Sequence, residues 1–327
     1  MFIKDRVFFH TSGNELEKFY IRKLTLEDID KIALARKMQE TENGNGASNK
    51  YILEYKKVLK KLFVENNVIG AGAFHDDNLV SLAFYNLINF GNEKKIPYLC
   101  GVWTNPEYRK KTLATQVYKK LMEDTARRKD ELQTISIVTV EGNEIAHKLY
   151  NSLGYELVDD EMTFLGDVKS PKEGIEVDVS KLLGKDNLNE EIYLKNKKPQ
   201  MLIQFSTEQF FPHPHNLNGI MNRILEIKLI DQEITPKEFR TYLQKFFSKH
   251  RFCKFSVKEL MQKEKFGRIF DYSKIDKNYF DLMSAFEYLK FEGIDEKPKT
   301  IQRSGNVMEK NLMKDFEYMD RCFDEDR

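Results

Sequence analysis

Three consecutive apolar runs in the first third of the sequence constrain its fold most strongly. Residues 68–74, 79–90 and 97–104 are rich in β-branched and aromatic side chains, and polar residues at 75–78 and 90–93 separate them. Such runs are typical of strands, and the polar breaks between them favour turns. Because the breaks are short, we predict three successive antiparallel strands.

Amphipathic segments flank these runs on both sides. Apolar residues recur at the spacing of a helix in four segments: 26–33, 51–63, 113–128 and 143–153. Gly154 is placed to end the last of these helices. Further strands are predicted at 19–22, at 132–140 and, as one or two closing strands, at 155–165. The pattern predicts an α/β fold in which helices flank a mixed, mostly antiparallel sheet.

A polar bridge divides the chain. Its 327 residues suggest two domains rather than one core. Residues 166–185 contain Pro171 and Gly174, so we place a linker there. The predicted domains are 1–168 and 186–327.

The second domain is predicted to be mainly α-helical. Thr235 and Glu238 form a capping box with a proline at the first helical position, and an apolar stripe follows them. Ser256 and Asp276 are candidate caps of two further helices, and the charged tail at 295–327 is expected to be partly disordered. The role of this second domain stays open: it could be a cap over an acceptor site, a dimerisation surface or a small winged-helix-like module.

Balanced charge and sparse cysteines argue against several classes of protein. Lysine and arginine total 53 and aspartate and glutamate 52, so the formal net charge is +1. This balance argues against nucleic-acid and membrane partners. The cysteines, Cys100, Cys253 and Cys322, lie far apart, so neither a disulfide framework nor a zinc ribbon is predicted. Without a long apolar run, the chain is expected to be soluble and cytoplasmic.

The run from Val102 to Ala114 carries the clearest chemical signal. A strand ends, a short turn with three cations follows, and a helix begins. The first amides of a helix have no internal partners, and the helix dipole favours negative charge beside them. The run therefore predicts a pyrophosphate cradle. The candidate ligand-binding residues of the whole run are Val102, Trp103, Thr104, Arg109, Lys110, Lys111, Thr112, Leu113 and Ala114.

This run resembles the acetyl-CoA-binding motif of the GNAT superfamily of N-acetyltransferases, Arg/Gln-x-x-Gly-x-Gly/Ala. Arg109 and Ala114 match the outer positions, and Thr112 stands where the family most often has glycine. Glycine permits close backbone approach and unusual dihedral angles. Threonine instead favours a helix N-cap, where its hydroxyl could bond to a phosphate oxygen. The resemblance covers about residues 19–165 and implies a GNAT-like sheet with acetyl-CoA as cosubstrate.

A second match lies at residues 143–155. It resembles the family's Asn-x-x-Ala-x-x-Leu-Tyr-x-x-Leu-Gly-Phe motif, with Tyr155 in place of phenylalanine. The resemblance implies that Asn143 and Ala146 contact CoA and that Tyr150 is the general acid for the departing thiolate. A phenol suits that task because it donates a proton at neutral pH. The backbone of the strand that ends at Thr104 would then hold the pantetheine amides where two central strands splay apart.

The general base that deprotonates the amine is not identified by the sequence. Four side chains are candidates: His75, Tyr85, Glu107 and Asp160. Water could serve instead. His213 and His215 lack an established spacing of metal ligands, so a proline-bracketed loop is the preferred interpretation and no metal is predicted.

The leading hypothesis is an N-acetyltransferase that passes an acetyl group from acetyl-CoA to a primary amine by direct attack in a ternary complex. The acceptor would be an amine-bearing small molecule or a protein, and a homodimer is possible. One alternative is a catalytically weak or inactive GNAT-like protein that binds CoA and serves regulation. Another is a bifunctional regulator whose C-terminal module contacts a protein or nucleic acid.

Overall fold

The computed structural model describes most of the chain. The described residues are 6–12, 15–44, 46–88, 94–140, 144–165, 176–178, 188–212, 217–250, 252–256, 262–269 and 301–325. The first half contains the strands β1 (Arg6–Ser12), β2 (Glu15–Lys23), β3 (Val68–His75), β4 (Asn78–Ile88), β5 (Ile96–Thr104), β6 (Ile135–Val140) and β7 (Glu156–Leu165). Its helices are α1 (Ile29–Glu42), α2 (Asn49–Val64), α3 (Leu113–Ala126) and α4 (Glu144–Ser152).

The second half adds strands and helices in alternation. They are β8 (Glu176–Asp178), β9 (Leu188–Lys195), β10 (Lys198–Gln209), β11 (Ile220–Leu229), α5 (Pro236–Lys249), β12 (Phe252–Ser256), α6 (Lys263–Phe266), β13 (Ile301–Asn311) and α7 (Met313–Glu325). In the part of the chain that the structure describes, none of the helices combines the length and apolarity that crossing a bilayer demands.

The strands form one mixed sheet. Their order is β1-β2-β3-β4-β5-β6-β13-β7-β12-β11-β10-β9-β8. The pairs β5–β6 and β11–β12 are parallel, whereas the pairs through which the sheet otherwise continues are antiparallel. The predicted α/β class, with helices flanking a mostly antiparallel sheet, is confirmed.

The three predicted central strands form β3, β4 and β5. They pair antiparallel in sequence order. Asp76 and Asp77 connect β3 to β4, and both have positive φ, 47° and 65°. Two successive positive φ angles are those of a type I′ turn, whose twist matches the flanking strands. The second predicted turn, at 90–93, lies outside the described residues.

Each face of the sheet carries its own core. On one face, α3 and α4 contribute Val117, Leu121 and Tyr150 to a cluster of buried side chains. On the opposite face, α1 and α2 pack against the same strands through residues such as Ile32 and Leu59. The strands between the two helical layers are buried on both faces, which explains why they appear in the sequence as continuous apolar runs.

A mainly helical C-terminal half is not confirmed, because strands β8–β12 surround α5. Met201, Ile203 and Phe205 of β10 are buried and alternate with less buried neighbours. This period of two favours a strand over a helix. The helix predicted at Thr235 is confirmed, with its capping box formed. Ser256, predicted to cap a helix, ends β12, and Asp276 lies outside the described residues.

The last strand of the chain returns to the first half. β13 lies between β6 and β7 and pairs antiparallel with both. Met308 of β13 and Phe316 of α7 are buried in the α3-side core. Residues 301–325 are therefore folded, whereas the remainder of the tail that was expected to be partly disordered, 295–300 and 326–327, lies outside the described residues. The division of the chain at residue 168 stays a prediction, since the tail completes the sheet of the first half.

Candidate functional site

Strands β5 and β6 separate at the centre of the sheet. They pair in parallel at Tyr98–Ile137 and Leu99–Val138. Immediately afterwards β5 bulges, because Gly101 and Val102 together face one residue of β4. Gly101 has φ +63°, and a Cβ there would lie 2.8 Å from the ring of Phe84. The result is a cleft along one edge of β5, where backbone groups are not taken up by β6.

The basic turn after β5 leads directly into α3. Asn105 accepts a hydrogen bond from the Glu107 amide (3.2 Å) and starts a short 3-10 turn. Lys110 and Thr112 both have positive φ, 64° and 59°. Glycine adopts this left-handed conformation more readily than threonine, so the backbone at Thr112 is strained. The Thr112 side chain makes no capping hydrogen bond, so its anticipated N-cap role is not met.

Replacing Thr112 with glycine is expected to stabilise the fold and strengthen binding of a phosphorylated ligand. The left-handed conformation costs an L-residue about 1–2 kcal/mol, and the greater freedom of glycine in the unfolded chain offsets about 0.4–1 kcal/mol of that gain. We expect a net rise of about 0.5 kcal/mol in the free energy of unfolding, measured by urea denaturation.

Thr115→Gly is the matched control for this substitution. Thr115 lies in the first turn of α3 with helical backbone, where glycine lowers stability by a few tenths of a kcal/mol relative to threonine. The two substitutions should therefore change stability in opposite directions. A lower free energy of unfolding in the Thr112→Gly variant would show that the left-handed backbone of Thr112 is not strained.

Two of the three cations of the turn have carboxylate partners. Arg109 pairs with Glu42 at the end of α1, and its Nε donates to the carbonyl of Thr104 at 3.0 Å. Lys111 pairs with Glu17 of β2 at 2.6 Å. Lys110 is exposed. Of the three cations, Lys110 and Arg109 are the more accessible to a ligand, since Lys111 is held against β2.

The N-terminus of α3 follows the basic turn at the end of β5. Leu113 is fully buried and anchors this end of the helix in the core, whereas Ala114 is half-buried. The first amides of α3 cannot bond within the helix, and its dipole places partial positive charge there. Together with Arg109, this end of α3 is suited to bind a pyrophosphate.

Tyr150 of α4 lies beside the cleft. Its side chain is 8% exposed, and burial raises the pKa of its phenol well above the ordinary value, with Cys100 and Tyr98 of β5 acting in the same direction. Within the described residues its hydroxyl has no hydrogen-bond partner. The phenol is therefore protonated at neutral pH and close to β5. Ala146 lies one turn earlier and packs against the same core, and Asn143 lies outside the described residues.

A network of buried hydroxyl groups supports the cleft from beneath. The Tyr85 hydroxyl lies 3.0 Å from that of Tyr155 and 3.2 Å from that of Tyr118. Ser136 of β6 bonds to the Tyr155 hydroxyl at 2.7 Å and donates to the carbonyl of Pro97 at 3.0 Å. These bonds join β4, β5, β6 and α3 and explain why tyrosine serves at position 155.

Among the residues that the structure describes, none of the candidates for the general base makes a hydrogen bond or a ring contact with Tyr150. Burial raises the pKa of Tyr85, which stays protonated at neutral pH and so makes a poor base. His75 packs between Phe19 and Tyr108, with ring centroids 5.2 and 5.4 Å away. Glu107 is exposed in the turn. The side chain of Asp160 lies outside the described residues, as do His213 and His215.

Aromatic residues of the second half cover the opposite face of β5. Phe210 packs edge-on against Tyr98, and Phe211 packs against Tyr55 and Phe84, with centroid distances of 5.5–5.7 Å. The Asn86 amide of β4 donates to the carbonyl of Gln209 at 2.9 Å. The second half thus forms part of the wall on this side of the cleft.

Two residues of α1 contact the cleft without any signal in the sequence. Gln39 Nε2 donates to the carbonyl of Val102 at 3.3 Å. Trp103 Nε1 donates to Glu42 at 3.3 Å. The apolar pattern indicated a helix only as far as residue 33, and the final turns of α1 approach β5 through tertiary packing.

The model of the acetyltransferase (GNAT) family matches residues 35–155. This span includes the cleft, the basic turn, the first turn of α3 and Tyr150. No curated protein matches the sequence significantly.

Several solved structures are similar to the chain. A probable N-acyltransferase from Enterococcus faecalis V583 is 13% identical, with a TM-score of 0.41 over 73% of this chain, and the match spans 64% of that protein's length. The PaiA N-acetyltransferase of Thermoplasma acidophilum, in complex with coenzyme A, is 23% identical over 43% of this chain and 91% of its own, with a TM-score of 0.34. A GCN5-related N-acetyltransferase from Kribbella flavida is 12% identical over 90% of this chain and 71% of its own, with a TM-score of 0.45.

Proposed function

We propose, from the match of residues 35–155 to the model of the acetyltransferase (GNAT) family, that the protein transfers an acetyl group from acetyl-CoA to a primary amine. The observation that carries the proposal is the position of Tyr150, a buried and protonated phenol beside the cleft between β5 and β6. A proton donor is needed where a thiolate departs.

The cofactor-binding groups follow from the geometry of the turn. The pyrophosphate of acetyl-CoA would meet the amides at the start of α3 and the cations Arg109 and Lys110. Its pantetheine arm would lie along the edge of β5 that β6 leaves unpaired and bond to the backbone between Val102 and Thr104. The thioester then reaches the level of Cys100, which influences Tyr150 electrostatically.

The transfer proceeds by direct attack in a ternary complex. The neutral amine attacks the thioester carbonyl, a C–N bond forms, and backbone amides of β5 stabilise the oxyanion. The C–S bond then breaks, and the thiolate takes the proton of Tyr150. The amine proton leaves through water, which later restores the phenol. The acceptor enters from the α1 and α2 side, where Phe210 and Phe211 of the second half line the approach.

Calorimetric titration with acetyl-CoA, followed by a thiol-release assay over a panel of small-molecule and peptide amines, tests this function. We expect saturable binding at one site and thiol release that depends on the amine. Absence of binding would contradict the proposal. Binding without thiol release would favour the alternative of a catalytically inactive CoA-binding regulator. The left-handed backbone of Thr112, at a position where the acetyl-CoA motif most often has glycine, supports that alternative.

The class of acceptor, small molecule or protein, and a homodimer stay predictions. So does a cytoplasmic location. Nucleic acid and membranes are not proposed as partners, because the charge of the chain is balanced.

A further inference from the structure

We propose that Glu42 occupies Arg109 before the cofactor arrives, and that the pyrophosphate of CoA must displace this carboxylate to bind. The inference rests on the proposed binding of acetyl-CoA. It assigns to α1, outside both sequence motifs, a residue that sets the affinity for the cofactor.

The contacts of Glu42 converge on the cofactor-binding groups. One of its carboxylate oxygens pairs with the Arg109 guanidinium, and the other accepts the Trp103 indole N–H at 3.3 Å. Arg109 in turn bonds to the carbonyl of Thr104. One turn earlier in α1, Gln39 bonds to the carbonyl of Val102. The final turn of α1 therefore holds the side chain and backbone groups that the cofactor would use.

The position of Glu42 in its helix does not favour a carboxylate. It is the last residue of α1, where the helix dipole places partial negative charge. A negatively charged glutamate at this end of the helix is stabilised by a nearby cation, and the Arg109 guanidinium from the basic turn is that cation. The pair is partly exposed, with Glu42 30% and Arg109 49% accessible. Such pairs are weak in water, so a pyrophosphate that carries more charge and more acceptor oxygens can replace the carboxylate.

Displacement of Glu42 would also release Trp103. Trp103 is buried at 5% exposure and is the single tryptophan of the chain. Tryptophan fluorescence of this chain therefore reports on the surroundings of this one ring, which include the Glu42 carboxylate. Loss of the carboxylate from the indole N–H changes the environment of the ring, whether CoA or a substitution removes it.

The Glu42→Gln variant is expected to bind CoA about two- to fivefold more tightly than the wild type. The gain is small because the ion pair that CoA no longer has to displace is weak. The control is Glu131→Gln, which removes another partly exposed carboxylate paired with an arginine, Arg128, away from the cleft. It should leave the CoA affinity unchanged. Equal or weaker binding of CoA by Glu42→Gln would overturn the proposal.

A double-mutant cycle separates competition at Arg109 from a general effect of charge. In an Arg109→Gln background, Glu42→Gln should no longer improve CoA affinity, because no guanidinium remains to be freed. A gain that persists there would show that Glu42 acts by simple repulsion and would overturn its role. The emission of Trp103 should also differ between ligand-free Glu42→Gln and ligand-free wild type. Identical spectra would overturn the contact.

These outcomes separate the role of Glu42 from the proposed binding of acetyl-CoA. If the wild type binds no CoA, both fall together. If the wild type binds CoA and Glu42→Gln binds it no more tightly, only the role of Glu42 is lost.

Discussion

Tyr150→Phe is expected to lower kcat for acetyl transfer by about 10²–10⁴-fold, the usual contribution of a general acid, while the affinity for acetyl-CoA stays within about twofold. Phenylalanine keeps the ring that packs against Tyr155 and removes only the hydroxyl. That hydroxyl has no hydrogen-bond partner among the described residues, so its loss leaves none of their buried groups unsatisfied. The effect should therefore fall on the chemical step.

Steady-state thiol release and calorimetry on the same preparations measure this split between kcat and affinity. Tyr20→Phe removes a phenol hydroxyl from an exposed side chain on β2 and serves as the control, with unchanged kcat expected. Because burial raises the pKa of Tyr150, the wild type should keep its acid through the alkaline range in which an ordinary tyrosine ionises. Unchanged turnover in Tyr150→Phe would remove the residue from the mechanism.

Deletion of residues 301–327 is expected to abolish both the folded state and CoA binding. The deletion removes β13, which pairs with β6 and β7 at the centre of the sheet. It also removes Met308, Leu312 and Phe316 from the α3-side core. Truncating one such side chain to alanine costs about 2–5 kcal/mol, and the whole stability of a domain is about 5–15 kcal/mol. Circular dichroism and titration with acetyl-CoA measure the loss.

Point substitutions in α7 refine this prediction. Phe316→Ala should lower the free energy of unfolding by about 3–5 kcal/mol, whereas Met313→Ala, at an exposed position on the same helix, should change it by less than about 0.5 kcal/mol. A folded deletion variant that binds CoA would contradict the structural role of β13.

The parts of the fold that depend on local pattern were accessible from the sequence. The runs that became β3, β4 and β5 showed their burial on both faces directly, and Asp76 and Asp77 marked the turn. The helix after Thr235 was signalled by its capping box. The end of α4 was signalled by Gly154, which has φ +86°.

Long-range pairing was not accessible in the same way. Residues 301–311 carry few apolar side chains, and their place between β6 and β7 depends on partners more than a hundred residues earlier. The strands β9–β11 do alternate in burial in part, but the sequence hides this period of two, because the carboxylates Glu191 and Glu208 stand at buried positions and apolar residues such as Leu202 stand at half-buried ones.

In the candidate site, too, the residues in local motifs could be predicted from the sequence, whereas those that meet through long-range packing could not. Arg109, Thr112 and Tyr150 belong to motifs whose spacing is fixed within one turn or helix, so the sequence could point to them. Glu42 belongs to no motif, and its relation to Arg109 exists only because α1 packs across the end of β5. The sequence likewise did not predict the left-handed backbone of Thr112. It showed only that threonine stands where the resembled motif most often has glycine.

The position of β13 also sets the order in which the molecule can form during its synthesis. A ribosome makes about 5–20 residues each second, so β6 and β7 emerge roughly 10–30 s before the strand that joins them. During that interval the facing edges of β6 and β7 have no partner, and unpaired edges invite association with other chains. Nascent chains of this protein are therefore expected to engage chaperones until the final strand is made, and release of an incomplete chain yields no functional cleft.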